Sequence, residues 1–484
     1  MMRKRHILPF SFISLILLLL LTHTLVTAGT IYPVTEPKET TIPAMLSLPP
    51  PYMVKNINSA AVNNGDSFPG PFSRLGGSGN QILFRAWDAA VGSEPRISDG
   101  TESGTRLLKD VSPGPDSSSY WTDTRFLQPV TLADGRFFFV TDDGTYDTEI
   151  RTSDGSEAGT MAVAKVCAGS VDHLVATANA AFFTAGIKDE TGGCASPGWL
   201  WRSDGTIGGT EPLVYEYEIT GMWAANGILF YLNYDYELWV LGETSAIPQR
   251  IAEYVYYDPA AAGDALYFYR MAPGESGYLW ISDGSLPGTT QLKELDGAIT
   301  MFPAGDLLYF VDSKSDGVSS LWLTDGTAAG TSLVKDGWNN ENRISELAAV
   351  GNTAFFSVLK TGDLCDLWQT DGSSSGTALV KSFPTVEGGP NLLTAFDEWL
   401  VFTADDGVHG RELWVSDGTE EGTVMHADIN PAAGEDSQLH NLAARNKTLY
   451  FAADDGLHGI ELWALSLDGT SNYRLFLPGI LATK

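Results

Sequence analysis

Two copies of one phrase set adjacent carboxylates ahead of an imidazole: Asp405-Asp406-Gly-Val-His409-Gly and Asp454-Asp455-Gly-Leu-His458-Gly. Neighbouring carboxylates can offer several oxygens to a hard cation such as calcium, and a histidine three residues on adds a nitrogen donor. Asp405, Asp406, Asp454 and Asp455 are therefore candidate calcium ligands, and with His409 and His458 they make up the candidate ligand-binding set. The competing reading is that Asp-Asp-Gly is a turn, repeated because the whole segment is duplicated. Seven other aspartates recur with a following Gly and hydroxyl residue: Asp99, Asp154, Asp204, Asp283, Asp325, Asp371 and Asp417. Their chemistry is local. The carboxylate accepts from backbone N–H groups two or three residues on, the Gly takes a positive φ, and the Thr or Ser returns the chain to the β region. These seven are read as turn formers that need no ligand. No Walker loop, H-E-x-x-H or paired-cysteine zinc spacing occurs, so the common phosphate and metal signatures are absent.

The turn aspartates belong to a longer phrase, seen as ELWVSDGTEEGT (412–423), LWLTDGTAAGT from Leu321 and LWISDGSLPGT from Leu279. Taking its aromatic as the register mark, equivalent positions are Arg96, Arg151, Trp201, Trp239, Trp280, Trp322, Trp368, Trp414 and Trp463, spaced 38 to 55 residues apart. Units of that length suit a propeller blade. Each resolves into short strand-type runs, for example TALVKSF (377–383), NLLTAFD (391–397), WLVFTAD (399–405) and ELWVSD (412–417). Runs such as TLYFAA and TAFFSV are apolar on both faces, which suits sheets stacked radially around an axis. The Leu and Trp of ELW point to opposite faces of one strand, so Trp201, Trp239, Trp280, Trp322, Trp368, Trp414 and Trp463 can each fill a wedge between blades. The expected fold is all-β: a single β-propeller of four-stranded blades over residues 52–478, with nine blades favoured and eight as the runner-up. YMVKNI (52–57) is expected to close the ring in the blade of Trp463, because joining the two chain ends removes an open edge. The innermost strands carry only scattered ionisable residues, Asp172, His173 and Glu346, which make no acid/base pair.

The phrase E-L-W-x-x-D-G-T-x-x-G-T, with ADDGVHGRELW (404–414) and AADDGLHGIELW (452–463) upstream and LVKD (333–336) downstream, resembles the ELWxxDGT-repeat proteins, secreted bacterial multi-repeat chains. The likeness spans about residues 52–478 and is weakest around Glu237, where Asp-Gly-Thr is lost. It implies a repeat scaffold and names no activity. The turn is also similar to the Asp-box turns of sialidase-like and sortilin-like propellers, which are structural.

Composition bounds the rest. Arg3, Lys4 and Arg5 precede the apolar run ILPFSFISLILLLLL and a small-residue Val26-Thr27-Ala28, the layout of a secretory signal peptide over residues 1–28. Residues 29–51 read as a Pro/Thr-rich spacer and 479–484 as a C-terminal tail. After cleavage 26 basic residues would face 60 acidic ones, so nucleic acid is excluded as a partner for want of a basic footprint. No segment of the mature chain is long enough to span a membrane. The expectation is a secreted or cell-surface, monomeric, non-catalytic binding module whose partner is an extracellular protein or polysaccharide. It has no cofactor apart from calcium at the Asp pairs. The alternative is an extracellular propeller hydrolase or lyase acting on glycans or esters. Of the three cysteines, Cys167 follows a first-run strand and Cys194 lies in an enlarged loop that emerges on the same face, so these two are expected to pair and Cys365 to stay free. Under denaturing conditions a thiol titration should count one free thiol before reduction and three after it.

Overall fold

In the computed structural model the described residues are 48–468, apart from 61, 74–80, 119–127, 143–146, 168–169, 188–193, 195–197, 216–217, 246, 315–316, 340–341, 361–363 and 385–388. The signal peptide, most of the spacer, the tail and the run 471–478 lie outside the described residues.

Among the described residues 35 strands form nine sheets, and the only other element is a 3-10 turn, Val62–Gly65. Blade 5 shows the plan. Val255–Ala262, Ala265–Arg270, Gly277–Ser282 and Thr290–Leu295 run from the inside outward, each antiparallel to the next. Blades 2 to 8 repeat it over 130–167, 174–215, 219–252, 255–295, 297–339, 342–383 and 391–427. Blade 1 has three regular strands, Ile82–Asp88, Gly92–Ser98 and Arg106–Leu107. The irregular segment 67–73 takes its inner position, with Gly70 N–H donating to Arg85 O at 2.9 Å and Ser73 N–H to Leu83 O at 2.8 Å. Pro69 and Pro71 lack the donors that a full ladder there would need. Blade 9 joins His440–Arg445, Thr448–Asp454 and Ile460–Ser466 to the first strand of the protein, Tyr52–Lys55, with Met53 opposite Trp463. The nine-bladed count and the closing strand are thus as the repeat spacing led one to expect. The spacer's last residues pack as well, for Leu48 is buried between blades 8 and 9.

Nine apolar clusters fill the nine wedges. Between blades 4 and 5, Leu238 comes from the ELW strand of blade 4 and Trp280 from that of blade 5. The same division holds for Leu413 with Trp463 and for Leu367 with Trp414. Leucine therefore faces the following blade and tryptophan the preceding one, as alternation along a strand dictates. Trp201, Trp239, Trp280, Trp322 and Trp368 also stack on the aromatic opposite each in its own sheet, as in Phe268–Trp280 and Phe310–Trp322, both 6.3 Å between centroids. At three of the rings a lysine from the outer strand of the preceding blade caps the face. Lys293 Nζ sits 3.9 Å over Trp322, Lys335 5.5 Å over Trp368 and Lys381 5.8 Å over Trp414. Where the register residue is arginine, the lysine turns to the neighbouring turn instead. Lys55 donates to Thr105 O at 2.7 Å and Lys109 to Thr160 O at 2.9 Å. Arg96 and Arg151 are buried and paired with Asp88 and Glu149.

The Asp-Gly-Thr turns are closed networks. Asp325 Oδ1 accepts the Thr327 N–H at 2.9 Å and its hydroxyl at 2.7 Å, and Thr327 Oγ1 accepts the Gly330 N–H at 2.9 Å. Thr331 then donates to Thr327 O at 2.7 Å and pairs with Thr324 Oγ1 at 2.8 Å. Asp99, Asp154, Asp204, Asp283, Asp371 and Asp417 make the same contact with the residue two positions on. The turn also meets the previous blade. At Gly326 φ is +88°, and a Cβ would lie 2.9 Å from both Ile281 Cδ1 and the Tyr267 hydroxyl of blade 5. Gly305, with φ +64°, has nothing within 4 Å. Gly305→Ala should therefore cost about 1 kcal/mol for the backbone alone and Gly326→Ala roughly 2–3 kcal/mol. Equal losses in a denaturant melt of the two variants would contradict the inter-blade contact.

Candidate functional site on the loop face

Antiparallel strands send alternate connections to opposite ends of the ring. The Asp-Gly-Thr turns share one end with the tight turns between the two inner strands. The other end gathers the loops between the second and third strands and the crossings from each outer strand to the next blade. The Asp-Asp-Gly-x-His-Gly loops of blades 8 and 9 lie there, since Asp454 N–H donates to Ser437 O at 2.8 Å and Arg411 N–H to Asp436 Oδ1 at 2.7 Å, both in the crossing between those blades.

The structure shows what the six candidate residues do. Asp405 Oδ1 accepts Gly407 N–H at 2.7 Å, and Asp454 Oδ1 accepts Gly456 N–H at 2.8 Å. Asp406 Oδ1 accepts the N–H groups of Val408 and His409 at 2.9 and 3.0 Å, while Oδ2 holds His409 Nδ1 at 2.8 Å. Asp455 binds Leu457, His458 and the His458 ring in the same way, at 2.9, 2.9 and 2.7 Å. The bond with Asp406 raises the His409 pKa. Each aspartate thus supports its own loop, and the four are divided between two blades. Among the described residues no group of three or more His, Cys, Asp or Glu is disposed to hold a metal ion. Much of the acceptor capacity of the four carboxylates thus already serves the amides of their own loops. Asp428 and Asp436 lie in the crossing nearby, and Asp142, at the end of its strand, accepts from the Thr148 hydroxyl at 3.1 Å; Asp143 lies outside the described residues.

What these loops leave outward is apolar: Val408 is 66% and Leu457 84% exposed. Both stand at tips fixed by an aspartate beneath them. Cys194 is on the same face and forms a disulfide with Cys167, Cα to Cα 5.6 Å, while Cys365 is free and buried, with its thiol pushed up to about 11 by burial. On the inner strands, His173 Nδ1 lies 3.4 Å from Thr184 Oγ1, and burial lowers its pKa. Glu346 Oε2 accepts Leu393 N–H of the next blade at 3.0 Å. A cavity of about 40 Å³ between blades 1 and 2, lined by Pro71, Phe84, Arg85, Pro95 and Phe139, has room for a few waters and not for a substrate.

Sequence reasoning overlooked the glutamate of ELW. Glu94, Glu412 and Glu461 are fully buried. Glu461 accepts N–H groups of Ile57 and Asn58 at 2.9 and 3.0 Å and the Ser67 hydroxyl at 2.7 Å. Glu412 accepts Ile429 N–H at 2.8 Å, and Glu94 those of Val111, Ser112 and Ser118 at 3.0 to 3.2 Å. Each carboxylate ties down the crossing that leads to the following blade. The signal was present as an acid two residues before the register aromatic, within a strand otherwise apolar.

No family model matches the chain, and no curated protein matches it. Among solved structures it is similar to the computationally designed Ika8 protein, with TM-score 0.42 and 14% identity over 84% of this chain and 97% of that one. The β-propeller domain of the trilobed protease from Pyrococcus furiosus gives TM-score 0.38 and 11% identity over 76% and 98% of the two chains. The acylaminoacyl peptidase of Pyrococcus horikoshii gives 0.38 and 12% over 80% of this chain and 57% of that one. These likenesses bring no activity, substrate or partner to this chain. No helix among the described residues is long and apolar enough to cross a membrane.

The buried acids set a pH dependence. Burial raises Glu412 and Glu461 from 4.5 to about 7. Between those values the folded state holds protons that the unfolded state has released, so stability falls as pH rises through this window. The turn carboxylates Asp154, Asp204, Asp325 and Asp371 are lowered, chiefly by the side-chain hydroxyl two residues on, so their contribution is lost as pH drops below the usual Asp range. Thermal stability should therefore peak near pH 4.5–5 and decline by a few degrees toward about pH 8. Glu412→Gln with Glu461→Gln should flatten that decline, and an undiminished slope in the double variant would refute the assignment.

Proposed function

We propose that the chain is an exported, non-catalytic recognition scaffold of the ELWxxDGT-repeat kind, whose partner, an extracellular protein or polysaccharide, docks on the loop face. The observation that carries this reading is the pair of apolar tips, Val408 and Leu457, exposed on loops whose polar groups are satisfied from within. Variable loops on a rigid scaffold are the usual seat of recognition. Exposed apolar side chains presented without flexible supports favour binding, because little ordering entropy is lost on contact. The reading requires no calcium. Monomeric ring closure fits one partner per chain.

Val408→Ser with Leu457→Ser should leave the melting temperature within about a degree, since both side chains are exposed. Affinity capture from the native envelope fraction should recover a partner with the unmodified protein and lose most of it with the double variant. Turnover of any glycan or ester in a substrate panel by the purified chain, abolished by substitutions on the loop face, would replace this reading with the hydrolase one.

A further inference from the structure

Nine of the 18 tyrosines fall between Tyr231 and Tyr278, in blades 4 and 5. Tyr234, Tyr236, Tyr254 and Tyr257 are 61, 49, 37 and 51% exposed, and Met271 beside them 42%. They come from the loop between the second and third strands of blade 4, the crossing to blade 5, the start of its inner strand and the next loop, all at the loop face. Contacts join the rings around Tyr236, Tyr254 and Tyr257, and Tyr234 stands in the same loop as Tyr236. Tyr236 packs on Tyr256 with centroids 4.9 Å apart, and Tyr257 meets Tyr269 edge-on at 5.3 Å. The Tyr269 hydroxyl reaches Met271 Sδ at 3.5 Å, and Met271 N–H donates to Tyr254 O at 3.1 Å. Tyr236, Tyr254 and Tyr257 hold φ near +60°. At Tyr257 this belongs to a bulge, since the register passes from Tyr256 opposite Tyr269 to Ala260 opposite Tyr267. A bulge re-aims a side chain, and here it leaves the ring outside rather than in the wedge.

The charges around the rings are unbalanced. Arg250 is held by Glu237 and, at 2.8 Å, by Glu253. Arg270 lies 3.7 Å from Glu275, and its guanidinium is 5.3 Å from the Trp280 centroid. Asp235 and Asp258, both exposed and each next to exposed tyrosines in sequence, enter no ion pair among the described residues. The local surface thus offers electron-rich ring faces with surplus carboxylates and no available cation. That combination complements a cationic group, which gains from ring quadrupole and carboxylate together.

Resting on the reading of the chain as a recognition scaffold, we propose that this tyrosine face binds a lysine- or arginine-rich segment of a partner protein. The test is titration calorimetry of the full chain with a synthetic peptide alternating Lys and Gly, run at about 25 mM and about 500 mM NaCl. Binding should weaken at least roughly tenfold at the higher salt. Asp235→Asn with Asp258→Asn should weaken it about tenfold at low salt and reduce the salt effect. Tyr234→Ala with Tyr257→Ala should also cost about tenfold, whereas Tyr234→Phe with Tyr257→Phe should retain binding because the ring faces survive. Unchanged melting temperatures establish that the variants are folded. No binding, or binding undiminished in the Asp→Asn and Tyr→Ala double variants, would overturn the proposal, the second result placing the peptide elsewhere on an acidic protein. Salt-independent binding of a neutral oligosaccharide that depends on Tyr234 and Tyr257 would overturn it too, while leaving the scaffold reading intact.

Discussion

Every sheet in this protein is apolar on both faces, and a two-faced sheet has no stable place at the end of a row. That constraint governs the architecture. Leu238 needs blade 5 as Trp280 needs blade 4, and the same reciprocal demand passes from wedge to wedge until blade 9 must meet blade 1. Closure falls to one short strand. Tyr52–Lys55 pairs with Ile460–Ser466, Val54 enters the wedge between blades 9 and 1, and Lys55 reaches the turn of blade 1. A four-residue strand suffices because it completes the fourth strand of blade 9 and brings Val54 onto the apolar face of the last wedge at once.

The same constraint determines where polar groups can lie. Inside the wedges a charge is tolerated only with partners, and Glu94, Glu412 and Glu461 find them in the backbone of the crossing that follows. At the turn end, the seven repeated aspartates are satisfied two residues away. Most of the conspicuous acids in the repeat are consequently occupied by architecture, and repetition itself is poor evidence for chemistry in this chain. A side chain available to a partner is one that the repeat does not require.

The number of blades was legible because the register aromatic and its leucine are fixed by packing on both sides, so their spacing counts blades directly. The closing strand was legible because YMVK repeats the pattern of the outer strands it imitates. The glutamate of ELW was not, because its partners lie in a crossing far along the chain; Glu412 reaches Ile429, and Glu461 reaches back to Ile57. The lysine of LVK escaped notice for the same reason, its aromatic belonging to the next unit. The Asp-Asp-Gly-x-His-Gly phrase looked like a ligand set because sequence displays carboxylates without showing which amides they already serve. The inner segment of blade 1 was hidden by Pro69 and Pro71, which erase a strand pattern while leaving enough hydrogen bonds to hold the place.

Blade 4 departs furthest from the repeat. Its third strand reads LWVLG and runs into ETS without the Asp-Gly-Thr turn, and its ELW acid is the partly exposed Glu237, paired with Arg250 rather than buried against a crossing. Burial and amide donors, which raise or hold the other acids, are replaced there by an arginine, and the Glu237 pKa is lowered despite some burial. With that tie gone, the crossing from blade 4 to blade 5 is held instead by Val255 N–H to Tyr236 O at 3.0 Å and Arg270 Nε to Glu253 O at 3.1 Å. Val255 and Tyr256 pack into the wedges on either side, whereas Tyr254, Tyr257 and Asp258 are exposed and belong to no wedge. Exposed aromatics accumulate at a crossing that no buried glutamate ties down, and the rest of the ring supplies the rigidity that keeps them in position.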